Sequence, residues 1–116
     1  MSTLTADVKA LLTTVSNLYI GNLPATPDNV VGIYNTGGYA RSLSGTKLEE
    51  PTFQIRVRNI VYANCEKACS DINDLLHGAS TTKILMIESQ SGVLDLGRDE
   101  SNRAEMSMNF RCYYRK

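Results

Sequence analysis

The stretch Thr52-Phe53-Gln54-Ile55-Arg56-Val57-Arg58 alternates strictly between apolar and polar side chains. Successive side chains of a strand point to opposite faces, so Phe53, Ile55 and Val57 line one face and Gln54, Arg56 and Arg58 the other: a half-buried strand. The pattern changes period a few residues later. Between residues 63 and 77, Cys65, Ala68, Cys69, Ile72, Leu75 and Leu76 recur at helical spacing, while Glu66, Lys67, Asp71, Asn73 and Asp74 fill the opposite side. Gly78 supplies a stop, with His77 in the last turn where a cation is favoured. A one-faced strand beside a one-faced helix predicts a helix packed on a sheet.

The flanking segments extend this picture. Leu4, Val8, Leu11, Leu12, Val15 and Leu18 fit a helix over residues 3–18 with one buried stripe, capped by Ser2 or Thr3, with Asp7 near the positive end of its dipole. Residues 17–23 and 30–34 read as short strands separated by a turn at Pro24 and Pro27. Residues 83–91 contain Ile84-Leu85-Met86-Ile87, apolar on both faces and so expected in the centre of a sheet, with extended chain continuing to Leu96. A charged turn follows at residues 97–104. In the last segment Met106, Met108, Phe110, Cys112 and Tyr114 point one way, Ser107, Asn109, Arg111, Tyr113 and Arg115 the other. Residues 36–51 carry three glycines, two serines and the charges Arg41, Lys47, Glu49 and Glu50 without periodicity, and are expected to form one long flexible loop. The order implies a single α+β domain over residues 1–116: a mostly antiparallel sheet of about five strands with two amphipathic helices packed on one face.

Composition narrows the function classes. The chain has 116 residues, 12 Lys+Arg against 12 Asp+Glu, 42% apolar and 21% charged residues. A chain of this size hides only about 65% of the surface its unfolded form exposes, so the core is modest. No run approaches the roughly 18–20 apolar residues of a membrane span, and the N-terminus reads without a signal-peptide core. Zero net charge argues against a protein that grips nucleic acid through a basic surface. Cys65, Cys69 and Cys112 are an odd set without redox or metal spacing, expected as buried thiols in a reducing compartment.

Catalytic and cofactor patterns are missing. No Gly-x-Gly-x-x-Gly occurs, and Gly45-Thr46-Lys47 reverses the order of a phosphate loop. A single histidine, His77, is expected as a helix-end cation, and metal binding would need more ligands. The carboxylate pairs Glu49/Glu50, Asp71/Asp74 and Asp99/Glu100 lie in loops or on a polar helix face, without apolar context to raise a pKa. The reading is a non-enzyme with no cofactor. The rows Gln54, Arg56, Arg58 and Asn109, Arg111, Tyr113, Arg115 instead carry residue types enriched at protein interfaces.

Several stretches resemble one family. Val31-Gly32-Ile33-Tyr34-Asn35-Thr36-Gly37-Gly38, then Glu50-Pro51-Thr52-Phe53-Gln54-Ile55-Arg56-Val57-Arg58, are similar to the minor capsid and tail-terminator proteins of tailed bacteriophages. So are Ile72-Asn73-Asp74-Leu75-Leu76-His77, Leu96-Gly97-Arg98-Asp99-Glu100 and the run Arg103-Ala104-Glu105-Met106-Ser107-Met108-Asn109-Phe110-Arg111. The likeness runs in order over residues 30–111. It implies a structural virion part without enzymatic activity, assembled in the bacterial host cytoplasm. A hexameric homo-oligomeric ring would cap the head-proximal end of the tail tube, stop its polymerisation and join it to the head connector, with DNA passing through the lumen without specific binding. Under that resemblance the candidate subunit or tube contacts are Arg41, Lys47, Glu49, Glu50, Gln54, Arg56, Arg58, Arg98, Asp99 and Arg103. A head-completion or neck protein is the alternative within this class. A small nucleic-acid-binding domain using Tyr113 and the basic C-terminus is the alternative outside it.

Overall fold

A computed structural model describes residues 3–39 and 48–115. Its elements follow in the order α1 (Leu4–Leu11), β1 (Leu18–Ile20), β2 (Val30–Tyr39), β3 (Leu48–Asn59), α2 (Tyr62–Leu76), β4 (Ile84–Ser89), β5 (Leu94–Arg98) and β6 (Ala104–Arg115). The six strands make one sheet, ordered β1-β2-β3-β6-β4, with β5 also paired to β6. Only β1 and β2 run parallel; the other pairings are antiparallel. The α+β architecture expected from the sequence is present, with a sixth strand because the chain after residue 91 forms β5 instead of prolonging β4.

The two twelve-residue strands β3 and β6 form the spine. Their register sets Phe53 opposite Phe110, Ile55 opposite Met108 and Val57 opposite Met106, all on one face. The Phe53 and Phe110 rings stack with centroids 5.3 Å apart. Val31 and Ile33 of β2, Ile84 and Ile87 of β4, and Cys112 extend this apolar face. The stripes of both helices close over it: Leu4, Val8 and Leu12 from the first helical segment, Cys65, Cys69, Ile72 and Leu76 from α2. The Tyr114 hydroxyl reaches the Asp7 carboxylate, tying the end of β6 to α1.

Helix ends follow the local chemistry. The Thr3 hydroxyl accepts from the Ala6 amide at 3.3 Å, as an N-cap should. The first helix stops at Leu11 rather than continuing to residue 18. Thr13, Thr14 and Val15 are poor helix formers, and Asn17 turns the chain into β1 with φ of 55°. Val15 and Leu18 satisfied helical spacing because they pack on the same core from a non-helical path. The second helix ends at His77 and Gly78, the latter at φ of 80°. The His77 Nδ1 accepts from the Ser89 amide at 3.1 Å, so the side chain ties the helix end to β4.

Two further expectations are corrected. The first concerns the loop over residues 36–51, whose two ends are strand. Gly37 pairs with Thr52, Gly38 with Pro51 and Tyr39 with Glu50. Gly38 permits this, since at φ of 96° a Cβ there would lie 2.5–2.6 Å from Glu50 O, Pro51 Cα and Thr52 N. The Thr36 and Thr52 hydroxyls meet across the pair at 2.7 Å. Residues 40–47, and with them Arg41 and Lys47, lie outside the described residues. Strand β4 brings the second correction. It lies at an edge, paired only to β6, with Leu85 and Met86 exposed. Its apolar run fills the core through Ile84 and Ile87 alone.

Truncating Phe110 to Ala should destabilise the fold by about 3–5 kcal/mol, the range for a buried aromatic. Leu85→Ala, on the exposed side of an edge strand, should cost less than about 1 kcal/mol. Urea denaturation of both variants checks the assignment, and comparable losses would contradict the edge position of β4.

Candidate protein-interaction face

The helix-free face of the sheet carries the polar rows read from the sequence. Arg56 of β3 stands beside Ser107 of β6, which stands beside Leu94 of β5, and Gln54 stands beside Asn109. The Gln54 amide donates to the Asn109 side-chain oxygen at 3.3 Å. The Arg56 guanidinium lies 5.9 Å from the centre of the Tyr34 ring, a cation–π approach. Its Nε is buried and has no hydrogen-bond acceptor among the described residues. Glu49 and Glu50 sit half-buried at the far end of β3.

Four of the candidate residues hold turns of the chain in place. Arg58 is only 4% exposed. Its guanidinium donates to the backbone carbonyls of Pro24 at 2.5 Å, Pro27 at 2.8 Å and Asp28 at 3.0 Å. Arg103 donates to the Ala25 carbonyl at 2.7 Å, to the Asp28 carboxylate at 3.3 Å and to the Asp99 carboxylate at 2.8 Å. These two arginines clamp the 24–28 turn, which has no regular ladder of its own, against the end of the sheet. Asp99 in turn accepts from the backbone amides of Ser101 and Arg103. Arg98 closes the same turn by donating to the Asn102 carbonyl at 2.9 Å. Arg58, Asp99 and Arg103 thus meet in one cluster, with Arg98 on the same turn; Gln54 and Arg56 lie in the middle of the face, and Glu49 and Glu50 lie at its opposite end.

Sequence reasoning missed the apolar exposure. Of the ten large hydrophobic residues that stand exposed among the described residues, Ile20 lies on β1, Leu85 and Met86 on β4, Leu94 and Leu96 on β5, and Val93 just before β5. None of these ten lies on β2, β3 or β6. Ile60, Val61 and Tyr62 continue the patch at the start of α2, where the Tyr62 hydroxyl donates to Asp95 of β5 at 2.8 Å. Every residue of β5 is exposed. The readable signal was a short apolar segment between Gly92 and Gly97, too brief to bury both faces.

The interior offers little for chemistry. Cys65 donates weakly to the Val57 and Ala104 carbonyls at 3.5 and 3.8 Å. Its contact with Cys69, together with burial, raises the Cys69 thiol above its ordinary range, and burial pushes Cys112 up to about 12. Among the described residues no group of three or more His, Cys, Asp or Glu side chains converges on a metal-sized site. A cleft of about 370 Å³ opens between α2 and the 14–17 segment over Val31 and Val57, rimmed by Asn17, Asn29 and Asp71.

Replacing Arg58 by Met leaves three carbonyls without their charged donor, and should destabilise the fold by about 2–4 kcal/mol and expose the 24–28 turn to proteolysis. Thermal melts and limited digestion read both effects. The Arg103 amide, and then the Arg103 guanidinium, hold the Asp99 carboxyl below the usual carboxylate range. A depressed native pKa contributes stability that is complete above the unfolded value of about 4 and is lost as pH falls through the native value. Asp99→Asn should therefore be less stable than wild type at neutral pH and show a flatter decline in acid. An unchanged acid limb would remove Asp99 from the account.

Against curated proteins of known function the chain finds no match. Among solved structures, a chain from the virion of a native gene transfer agent particle shares the fold, with a TM-score of 0.63 at 14% identity, covering 96% of this chain and 86% of that one. A family model described as bacteriophage tail terminator protein matches residues 7–116, which take in the core of α1 and every strand of the sheet. The ordered motifs on β2, β3, α2 and β6 and that match over nearly the whole length agree, and the chain belongs to the bacteriophage tail terminator proteins, structural parts of the virion.

Proposed function

We propose that copies of this chain close into a hexameric ring at the head-proximal end of the tail tube, where the ring stops tube growth and offers the surface for the head connector. The observation that carries this reading is the apolar exposure of the edge strands: of the ten large hydrophobic residues exposed among the described residues, five lie on β1, β4 and β5, and Val93 lies just before β5. Open edges with apolar flanks are a liability for a lone subunit and are relieved when neighbours cover them. A head-to-tail ring has two different surfaces on each subunit, which a sheet with two unlike edges provides. The modest core fits a subunit that gains stability from its neighbours. Zero net charge lets identical copies crowd together without net repulsion.

In this reading Gln54 and Arg56, with Glu49 and Glu50 at the end of β3, are the polar contacts to subunits or tube. The segment holding Arg41 and Lys47 docks on the tube. Arg58, Arg98, Asp99 and Arg103 act indirectly, by holding the 24–28 and 98–103 turns in place. DNA crosses the lumen without specific contacts, and assembly takes place in the host cytoplasm.

Loss of the gene product in an infected host should give tails of irregular length that fail to join heads. Complementation with a chain lacking residues 40–47 should restore a folded protein but not uniform tails. Uniform tails of normal length without the protein, seen by electron microscopy, would overturn the terminator role; uniform tails with the deletion would overturn tube docking by this segment.

A further inference from the structure

The two ends of the sheet differ in shape and charge. At one end β5 is an exposed edge strand paired only with β6, with Leu94 and Leu96 exposed at 49% and 44%. On this side the Asp95 carboxylate is held by the Tyr62 hydroxyl, and Glu66 stands one turn further along α2. At the other end β1 is a three-residue edge strand paired only with β2, with Ile20 exposed. Beside it α1 and the chain leading to β1 enclose a shallow hollow of about 490 Å³, lined by Ala6, Lys9, Ala10, Leu12, Val15 and Leu18. Lys9 is exposed and is the only cation between residues 3 and 39. One edge thus offers projecting apolar side chains with carboxylates, and the other a hollow of mixed lining, apolar at Leu12, Val15 and Leu18 and polar at Thr13 and Lys9.

We propose that the β5 edge of one copy docks on the α1–β1 edge of a second copy of this chain, with Leu94 and Leu96 against the hollow and Lys9 facing the carboxylates of Glu66 and Asp95. This pairing rests on the ring reading above and specifies the contact that repeats around it. Because the two edges are different surfaces, the contact is heterologous, so each copy keeps one edge for each neighbour, and the chain of contacts forms a ring when the rotation from copy to copy returns to the first. Apolar burial supplies the attraction and the charges set orientation. The same burial covers the exposed backbone edges of β1 and β5.

The two edges can be disabled separately in the full-length protein. Leu94→Glu spoils the β5 edge and Ile20→Glu the β1 edge, and both positions are exposed, so circular dichroism melts should match wild type. Leu96→Ser serves as a milder β5 variant should Leu94→Glu unfold. Sedimentation velocity should show rings for wild type and monomers for each variant alone. An equimolar mixture of the two variants should give dimers and stop there, since each contributes one intact edge. Lys9→Glu should weaken assembly at least about tenfold, and Glu66→Lys in the same chain should restore it. Rings from both edge variants, or monomers only in their mixture, would overturn the pairing while leaving the ring itself standing. Wild type that remains monomeric at every concentration would overturn the ring and the pairing together.

Discussion

A slip of one residue between β3 and β6 would turn Phe53, Ile55 and Val57 to the helix-free face and bring Gln54, Arg56 and Arg58 under the helices. Burying those guanidiniums without partners costs several kcal/mol each, so the register is fixed by what each face can tolerate. Every other element is placed relative to that ladder. β2 continues it on one side with Val31 opposite Val57 and Ile33 opposite Ile55. The helices occupy only the apolar face because only that face has a stripe to match theirs.

The far side of β6 is divided. Its first residues pair with β5 and its last with β4, so no single strand runs along that edge. Bulges in both pairings, between Ile84 and Met86 and between Asp95 and Gly97, break the ladder further. The consequence is a short, exposed strand with apolar side chains, which a monomer of this size has no additional helix to cover. The clamp beside the β5–β6 turn shows the contrasting solution. There a turn with two prolines, which carry no backbone N–H, is held by Arg58 and Arg103 through its carbonyl oxygens.

Periodicity made the spine and α2 legible, because alternation in 52–58 and in 104–115 and the stripe from Cys65 to Leu76 each report a single buried face. It failed where one pattern has two causes. Ile84-Leu85-Met86-Ile87 reads as central because it is apolar on both faces, yet an edge strand awaiting a neighbour looks the same. Val15 and Leu18 keep helical spacing after the helix has ended. Alternation alone turns Arg58 outward, and neither its role nor that of Arg103 is legible, since their backbone carbonyl acceptors lie 30 to 78 residues away in sequence, which no side-chain pattern records. Strand ends at 36–39 were hidden by glycines, whose role is to let two backbones approach.

Balanced charge acquires a different meaning once these partners are known. Arg103 is paired with Asp28 and Asp99, Lys67 with Asp71, and Arg58 with carbonyl oxygens, so part of the formal charge is satisfied inside the subunit. The edge strands, by contrast, present apolar side chains to the surface. Exposed ion pairs contribute little and are screened by salt, whereas apolar burial is not. In the proposed ring, charges would shape the fold and hydrophobic edges would join the copies, a contact that salt does not screen.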